Sequence, residues 1–298
     1  MASWTNEERF GDRIGTARSI VLDTSGCSYD RCYMCSYKRT CPDTTPASIV
    51  SDLEAALGGQ AQKLKIFTSG SFFDKAELSC AQQEQIARIV TSHGFEELTV
   101  ESRPEFITRE TLAPFLSALG DTRLEVAMGL ESANDDVLRY CINKGFTFSS
   151  FEKKARYLRE NGCLVKAYLL LKPPFLTEYE AMLDVLDSAK AAAPLSDTIS
   201  INPVSIHKDT VVEQLWKRGG YRPPYLWTLV ACLNTLSGLG PYILSHPVAG
   251  GKARGIHNCG ACDGDILKKI EAYNLHETPI EHSCACREEW EHALNESF

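Results

Sequence analysis

The chain has 298 residues, a formal net charge of −8 and 44% hydrophobic residues, a globular composition that argues against disorder. No apolar run approaches the roughly 20 residues that a membrane-spanning helix needs, so we expect no membrane association. The N-terminal residues include Glu7, Glu8 and Asp12 and lack the apolar segment of a secretory signal. We therefore expect a cytoplasmic protein.

Short β-type apolar runs alternate with helical patterns along the chain, which is typical of βα units and a parallel sheet. Gly94, Gly120 and Gly162 lie where left-handed C-caps would end three of the helices. Six βα units and a seventh strand fit either a doubly wound open sheet or a full or partial barrel. Strands are predicted near residues 19–23, 65–68, 98–102, 124–130, 164–171, 198–204 and 242–245.

Three cysteines, Cys27, Cys32 and Cys35, lie in a segment without periodicity directly after the first predicted strand. Thiolates are soft ligands that suit iron–sulfur clusters or zinc. A cubic iron–sulfur cluster ordinarily takes four cysteines, so three would leave one iron free to bind S-adenosylmethionine (SAM). The alternative is a zinc knuckle completed by Cys41.

The spacing Cys27-x4-Cys32-x2-Cys35, followed by βα repeats, resembles the radical SAM superfamily, whose usual motif has three residues between the first two cysteines. Further strings in the chain resemble a more specific family, the radical SAM subunit of archaeosine synthase. They are CYMCSY at 32–37, FTSGSFFD at 67–74, ESRPEF at 101–106, INKGFTF at 142–148, LKPPF at 171–175, YRPPY at 221–225 and HNC at 257–259.

This resemblance implies an α/β fold, a partial (β/α)6 TIM-like barrel of the radical SAM type. It would occupy residues 1–246, with a small Cys-rich extension over residues 247–298. Cys27, Cys32 and Cys35 would hold a [4Fe–4S] cluster that binds SAM. No catalytic side chain is assigned, because the cluster-bound SAM would carry out the chemistry.

The resemblance also implies a lyase that acts on transfer RNA carrying a lysine adduct of 7-cyano-7-deazaguanine in the D-loop. The enzyme would cleave a lysine C–N bond and leave the amidine of archaeosine. The expected partner is the subunit that transfers lysine to the base. Two alternatives stay open: another radical SAM RNA-modifying enzyme that resembles the catalytic subunit of the elongator complex, and a non-catalytic metal-bound RNA or assembly module.

The SAM site is expected where the parallel strands end. By the resemblance, Met34 would pack on the adenine of SAM, with loop packing as the alternative. Glu101 and Glu131 would hold the ribose or an ammonium group, unless they form buried ion pairs, for example with Arg103. The remaining candidates are a turn after the second predicted strand and two polar strand residues: Thr68, Ser69, Gly70, Lys166 and Asn202.

A second cysteine set lies in the C-terminal extension and consists of Cys259, Cys262, Cys284 and Cys286. Two close pairs of thiols separated by a helical stretch indicate a structural zinc site, with an auxiliary iron–sulfur cluster as the alternative. Two nearby histidines, His257 and His282, could replace one of the thiolates, with a solvated loop position as the alternative for each.

The net charge of −8 does not suit a polyanionic ligand such as RNA. We therefore expect the partner subunit to supply most of the RNA affinity. Phe175, Tyr225 and Trp227 lie beside Pro-Pro pairs, where each fits either base stacking or core packing. Despite the negative net charge, three groups of basic residues on predicted loops could contact RNA: Arg31, Lys38 and Arg39; Lys217, Arg218 and Arg222; and Lys252 and Arg254.

Overall fold

The computed structural model describes residues 1–11 and 13–295. Eight strands form one sheet whose order follows the chain. The first two strands pair antiparallel, whereas β2 to β5 pair in parallel in sequence, as do β7 and β8. The strands are β1 (Ala2–Phe10), β2 (Arg13–Val21), β3 (Lys63–Phe67), β4 (Glu97–Glu101), β5 (Arg123–Glu131), β6 (Leu164–Leu171), β7 (Thr198–Pro203) and β8 (Tyr242–Leu244).

Helices connect the strands from β2 onward. In residues 1–11 and 13–295, no helix is long and apolar enough to cross a membrane. A π-helical turn, Val137–Ile142, follows β5. The α-helices are α1 (Ile49–Ala56), α2 (Cys80–Ser92), α3 (Arg109–Leu119), α4 (Phe148–Glu160), α5 (Glu178–Ala192), α6 (Val211–Lys217), α7 (Leu226–Leu236), α8 (Asp263–His276) and α9 (Arg287–Leu294).

All seven predicted strands are present as β2 to β8, and the first strand, β1, was missed. Several helix ends follow from the sequence. Ser79, Thr108 and Thr177 form capping boxes at the starts of α2, α3 and α5, and Gly120 ends α3 with a φ of 60°. Such caps satisfy the N–H groups that a first helical turn leaves without intrahelical partners.

The chain divides into two compact units. The first comprises Met1–Asp30, Tyr37–Gly129 and Lys153–Lys166, and the second comprises Arg31–Ser36, Leu130–Glu152 and the chain from Ala167 onward. In the first unit, the period of two along β3 separates buried Leu64 and Ile66 from Lys63 and Lys65, which lie on the opposite face.

The second unit has its own apolar core. Its members come from the π-helical turn, the ends of β6 and β7, and α6, and they include Leu138, Ile142, Val204 and Val212. Met34 packs against this core and is partly buried. The segment that carries two of the first three cysteines is therefore anchored by hydrophobic contact as well as by its backbone.

Candidate functional site

The first cysteine, Cys27, lies in the loop after β2 and is held against the turn that follows β3. Its main-chain N–H donates to the carbonyl of Ser69 at 3.2 Å. A Cβ added to Gly70 would lie 2.6 Å from the Cys27 nitrogen and 2.7 Å from its Cα. Only glycine permits this approach, so the predicted turn Thr68-Ser69-Gly70 contacts the backbone of the first cysteine directly.

A buried carboxylate that the sequence analysis missed joins these two loops. Glu77 accepts hydrogen bonds from the Thr24 hydroxyl, from the main-chain N–H of Ser71 at 2.6 Å and from the Thr68 hydroxyl. Burial raises the pKa of Glu77. Nearby, Asp74 accepts a hydrogen bond from the Ser28 hydroxyl. Nothing in the sequence marked Glu77, because a lone acidic residue before a helix usually faces solvent.

Cys32 and Cys35 belong to the second compact unit, and Cys27 belongs to the first. The Cys35 N–H donates to the Cys32 carbonyl at 3.2 Å, and between them Tyr33 donates to Ile142 at 3.0 Å. All three cysteines are half-buried and free of disulfides. Cys41 is also half-buried, and its thiol lies 3.3 Å from the Tyr37 carbonyl. Partly shielded loop thiols that are not in disulfides fit iron–sulfur ligation chemically.

The predicted carboxylates and amide lie at strand ends. Glu101 ends β4 and is half-buried. Glu131 ends β5 in a left-handed conformation, with a φ of 70°, and pairs with Lys144 at 2.8 Å. Asn202 on β7 is half-buried and accepts a hydrogen bond from the Ser200 hydroxyl at 3.0 Å. A left-handed conformation at a non-glycine residue is typical of functional sites.

Arg103, considered above as an ion-pair partner for these glutamates, contacts Glu105 and Tyr29. Its Nε donates to Glu105 at 2.6 Å, and its guanidinium lies 4.2 Å from the ring centroid of Tyr29. Its main-chain N–H donates to the Ser71 hydroxyl at 3.1 Å. Arg103 therefore stacks on an aromatic residue of the first cysteine loop.

Lys166 lies in a buried cluster of charges within the first unit. Lys63 pairs with Glu97 at 2.6 Å and with Glu125 at 3.0 Å, and Lys65 pairs with Glu8. Burial lowers the pKa of Lys166 to about 8, against the opposing attraction of Glu125. This cluster is the immediate environment of Lys166, which is 3% exposed.

The second cysteine set converges on one point. The sulfur atoms are separated by 3.8 Å between Cys259 and Cys262, 3.8 Å between Cys259 and Cys284, and 3.7 Å between Cys262 and Cys286. All four lie within 4.8 Å of one another. Four zinc–sulfur bonds of about 2.3 Å in a tetrahedron give sulfur separations of about 3.8 Å, so the thiols fit a single tetrahedral ion.

The backbone and side chains around these thiols also suit a metal. Trp227 Nε1 donates to Cys286 Sγ at 3.4 Å, and Asn258 Nδ2 donates to Cys262 Sγ at 3.5 Å. N–H donors of this kind orient thiolate ligands and offset their charge. Hydrogen bonds from backbone N–H groups lower the pKa of Cys259 to about 7, whereas burial raises the pKa of Cys262 to about 12.

The two histidines and three aromatic residues singled out above have varied surroundings. His257 Nδ1 lies 2.7 Å from the Gly255 carbonyl, and the ring of His282 lies against Trp227. Trp227 is buried in α7, so core packing is its role here. Tyr225 is half-buried under the Arg222 guanidinium at 3.4 Å. Phe175 is 48% exposed.

Comparison with curated proteins yields relatives that match over nearly the whole chain. The chain is 36% identical to archaeosine synthase subunit beta of Methanosarcina acetivorans, over 98% of this chain and 89% of that protein. It is 39% identical to archaeosine synthase subunit beta of Thermococcus kodakarensis, over 99% of this chain and 96% of that protein. No protein-family model matches the chain.

Solved structures share the fold at low sequence identity. An archaeal Elp3 from Methanocaldococcus infernus, lacking its N-terminal residues, superposes with a TM-score of 0.54 and 17% identity, over 77% of this chain and 58% of that one. The radical SAM methyltransferase TsrM from Kitasatospora setae superposes with a TM-score of 0.50 and 22% identity, over 68% and 37%. The predicted α/β fold of the radical SAM type is thereby confirmed.

The family resemblance inferred from the sequence strings is confirmed as well. Both relatives exceed 30% identity, and both alignments extend over most of each protein. The chain belongs to the archaeosine synthase subunit beta family.

Proposed function

We propose that the protein is a radical SAM enzyme of transfer RNA modification. It acts on transfer RNA that carries a lysine adduct of 7-cyano-7-deazaguanine and cleaves a lysine C–N bond to form archaeosine. The observation that carries this proposal is the match to archaeosine synthase subunit beta along nearly the entire chain. The three thiols after β2, which form no disulfide, would supply the soft ligand set that the chemistry requires.

Cys27, Cys32 and Cys35 hold a [4Fe–4S] cluster in this proposal. When bound, the cluster supplies one electron to SAM, whose cleavage then starts the radical reaction. Met34, which packs against the core of the second unit and is partly exposed, offers an apolar contact for the adenine. The polar contacts to SAM come from the strand ends: Thr68, Ser69, Gly70, Glu101, Glu131 and Asn202.

Lys166 has a different role in this proposal. Its neighbours within the first unit are buried charged groups, and Glu125 and Glu8 attract its ammonium. We assign it to the stability of the sheet interior, although the sequence suggested a cofactor contact. Lys144, which sequence analysis passed over, orients the Glu131 carboxylate through their 2.8 Å ion pair.

The four C-terminal thiols hold one zinc ion in this proposal. Sulfur separations of 3.7 to 3.8 Å favour a mononuclear site over an auxiliary cubic cluster, whose cysteines bind four different irons. Such an ion would stabilise the fold of the predicted extension over residues 247–298. Elemental analysis should find one zinc per chain that survives removal of the iron. Iron at this site in place of zinc would reject the assignment.

The partners are the lysine-transferring subunit and the modified transfer RNA. Some basic side chains near the loops are already engaged, because Arg254 pairs with Glu213 and Lys38 donates to the Ser25 carbonyl. Together with the net charge of −8, this favours a partner that carries most of the RNA affinity. Tight, salt-sensitive binding of transfer RNA by this chain alone would contradict that expectation.

The test uses anaerobic protein with a reconstituted cluster, SAM and dithionite. 5′-Deoxyadenosine and archaeosine are measured with transfer RNA bearing the lysine adduct and, as the matched control, with the same RNA lacking lysine. We expect both products to depend on the adduct. If 5′-deoxyadenosine forms equally with either RNA and no archaeosine is made, the lysine adduct is not the substrate.

A further inference from the structure

We propose that Glu178 is a positioning residue that couples the four-cysteine metal site to the loop after β6, residues 172–175. The proposal rests on the proposed function only in treating that loop as part of the active-site mouth. Parallel strands carry functional loops at their C-terminal ends, and this loop follows the C-terminal end of β6 directly.

Glu178 is buried at the start of α5, where one carboxylate oxygen forms an ion pair and the other accepts two hydrogen bonds. Oε2 lies 2.6 Å from Lys172 Nζ. Oε1 accepts a hydrogen bond from the Tyr225 N–H at 2.8 Å and another from the Thr228 hydroxyl. One carboxylate therefore holds the strand-end loop on one side and the first turn of α7 on the other.

The loop that Glu178 holds has an unfavourable backbone conformation. Lys172 and Phe175 are left-handed, with φ values of 61° and 71°. Non-glycine residues keep such conformations only where surrounding contacts enforce them. Here the contacts are the Lys172–Glu178 ion pair and the Tyr221 hydroxyl, which donates to the Lys172 carbonyl at 2.7 Å. A loop of this kind is expected to relax when its contacts are lost.

The same turn of α7 leads to the cysteines. The Thr228 hydroxyl, which donates to Glu178, accepts a hydrogen bond from Trp290 Nε1 at 2.8 Å. Trp290 lies in α9, which begins directly after Cys286. The adjacent Trp227 donates to Cys286 Sγ at 3.4 Å. An ion bound by the thiols would fix Cys286 and α9, and through Thr228 it would fix the Glu178 carboxylate.

The loop positions an exposed aromatic ring. Phe175 lies edge-on to Tyr33, with ring centroids 6.4 Å apart. Tyr33 directly follows Cys32 in the cluster loop, the segment that carries Cys27, Cys32 and Cys35. Metal binding in the extension thus has a contact route to the face of the second unit that carries two of the first three cysteines. Loss of the metal should release residues 172–175 before it unfolds the first unit.

Limited proteolysis with chymotrypsin tests this coupling, because cleavage of the Phe175–Leu176 bond should become faster when the loop opens. Cleavage there is followed by mass spectrometry in zinc-loaded protein, in protein stripped of zinc by a chelator, and in zinc-loaded Glu178→Gln. The matched control is zinc-loaded Glu213→Gln, another buried carboxylate of the second unit, which pairs with Arg254 and Lys217. The protein needs neither cluster nor RNA, so failure of the radical chemistry would not affect the result.

We expect cleavage after Phe175 to be faster by about tenfold or more in the stripped protein and in Glu178→Gln, and unchanged in Glu213→Gln. Zinc content should stay at the parental level in Glu178→Gln. Thr228→Val, which removes only the linking hydroxyl, serves as a second variant if Glu178→Gln does not fold. Parental cleavage rates after zinc removal would overturn the proposal. So would simultaneous cleavage at buried sites of the first unit such as Phe115, because the metal would then hold the entire fold.

Discussion

The buried carboxylate of Glu77 accepts a 2.6 Å hydrogen bond from the main-chain N–H of Ser71. The same side chain accepts a hydrogen bond from the hydroxyl of Thr24, which lies three residues before Cys27 in the chain. A single acid thus ties the turn after β3 to the loop that carries the first cysteine. Replacement of Glu77 by alanine would leave these buried donors without this acceptor. Each unsatisfied donor would lower the free energy of unfolding by about 1–3 kcal/mol.

We therefore predict that Glu77→Ala lowers the free energy of unfolding by about 2–5 kcal/mol and lowers the iron content of reconstituted protein. Denaturant titration and iron analysis measure the two effects. The control is Glu84→Ala on α2, whose partly exposed pair with Arg88 should contribute less than about 1 kcal/mol. Equal iron content in the two variants would show that Glu77 does not position the cluster loop.

The two cysteine sets should bind their metals independently. Cys27→Ala is expected to lose iron and keep zinc, and Cys262→Ala is expected to lose zinc and keep iron. The reason is that the two sets share no ligand, because Cys27 lies in the loop after β2 and Cys262 lies within 4.8 Å of the three other thiols of its own set. Elemental analysis measures the iron and zinc content of both variants. Loss of both metals from either variant would contradict independent sites.

The buried charges beside β3 should be sensitive to the loss of one partner. Glu125→Gln removes a negative charge that pairs with the buried Lys63 ammonium and replaces one carboxylate oxygen by an NH2 donor. Breaking a buried pair in this way costs about 3–5 kcal/mol, measurable as a lower unfolding free energy. The comparison variant is Glu96→Gln, which breaks an exposed pair with Arg13 and should cost less than about 1 kcal/mol. Similar losses in both variants would refute the prediction.

Asp184 should make stability depend on pH. Burial raises its pKa from 3.8 to about 6, while the Ser132 hydroxyl donates to it at 2.7 Å. Because the folded state holds this proton more tightly, the stabilisation is complete below about pH 4 and is lost as the pH rises through about 6. Asp184→Asn, which keeps an acceptor for Ser132, should therefore gain thermal stability over the parent at pH 7.5 but not at pH 4.

Thermal unfolding at the two pH values measures this difference. The exposed neighbour Asp187 provides the control, because Asp187→Asn should shift stability little at either pH. A difference between Asp184→Asn and the parent that does not change with pH would contradict the raised pKa.

The sequence analysis found the parallel strands because their apolar runs are dense and bounded by glycine and polar turns. It missed β1, whose nine residues include Asn6, Glu7, Glu8 and Arg9 and are mostly exposed. Nothing in such a composition marks a strand. Its position comes from antiparallel pairing with β2, which begins three residues after Phe10, past the turn at Gly11.

Tertiary partners were harder to predict than elements. Lys63 and Glu97 are charged residues that usually face solvent, and only the register between β3 and β4 brings them together in the sheet interior. From the sequence, Trp227 is compatible both with stacking on an RNA base and with packing in the core. Its true environment depends on α7 and on a cysteine 59 residues later in the chain. Spacing identified both cysteine sets, but not the N–H donors around them.

The proposed radical chemistry requires that Cys27, Cys32 and Cys35 hold a cluster with an iron that SAM can bind. Electron paramagnetic resonance of the anaerobic, dithionite-reduced protein, recorded before and after addition of SAM, detects such binding. We expect a reduced-cluster signal that changes on SAM addition and is absent from Cys27→Ala. A signal that SAM leaves unchanged, or one that persists in Cys27→Ala, would show that these cysteines do not hold such a cluster.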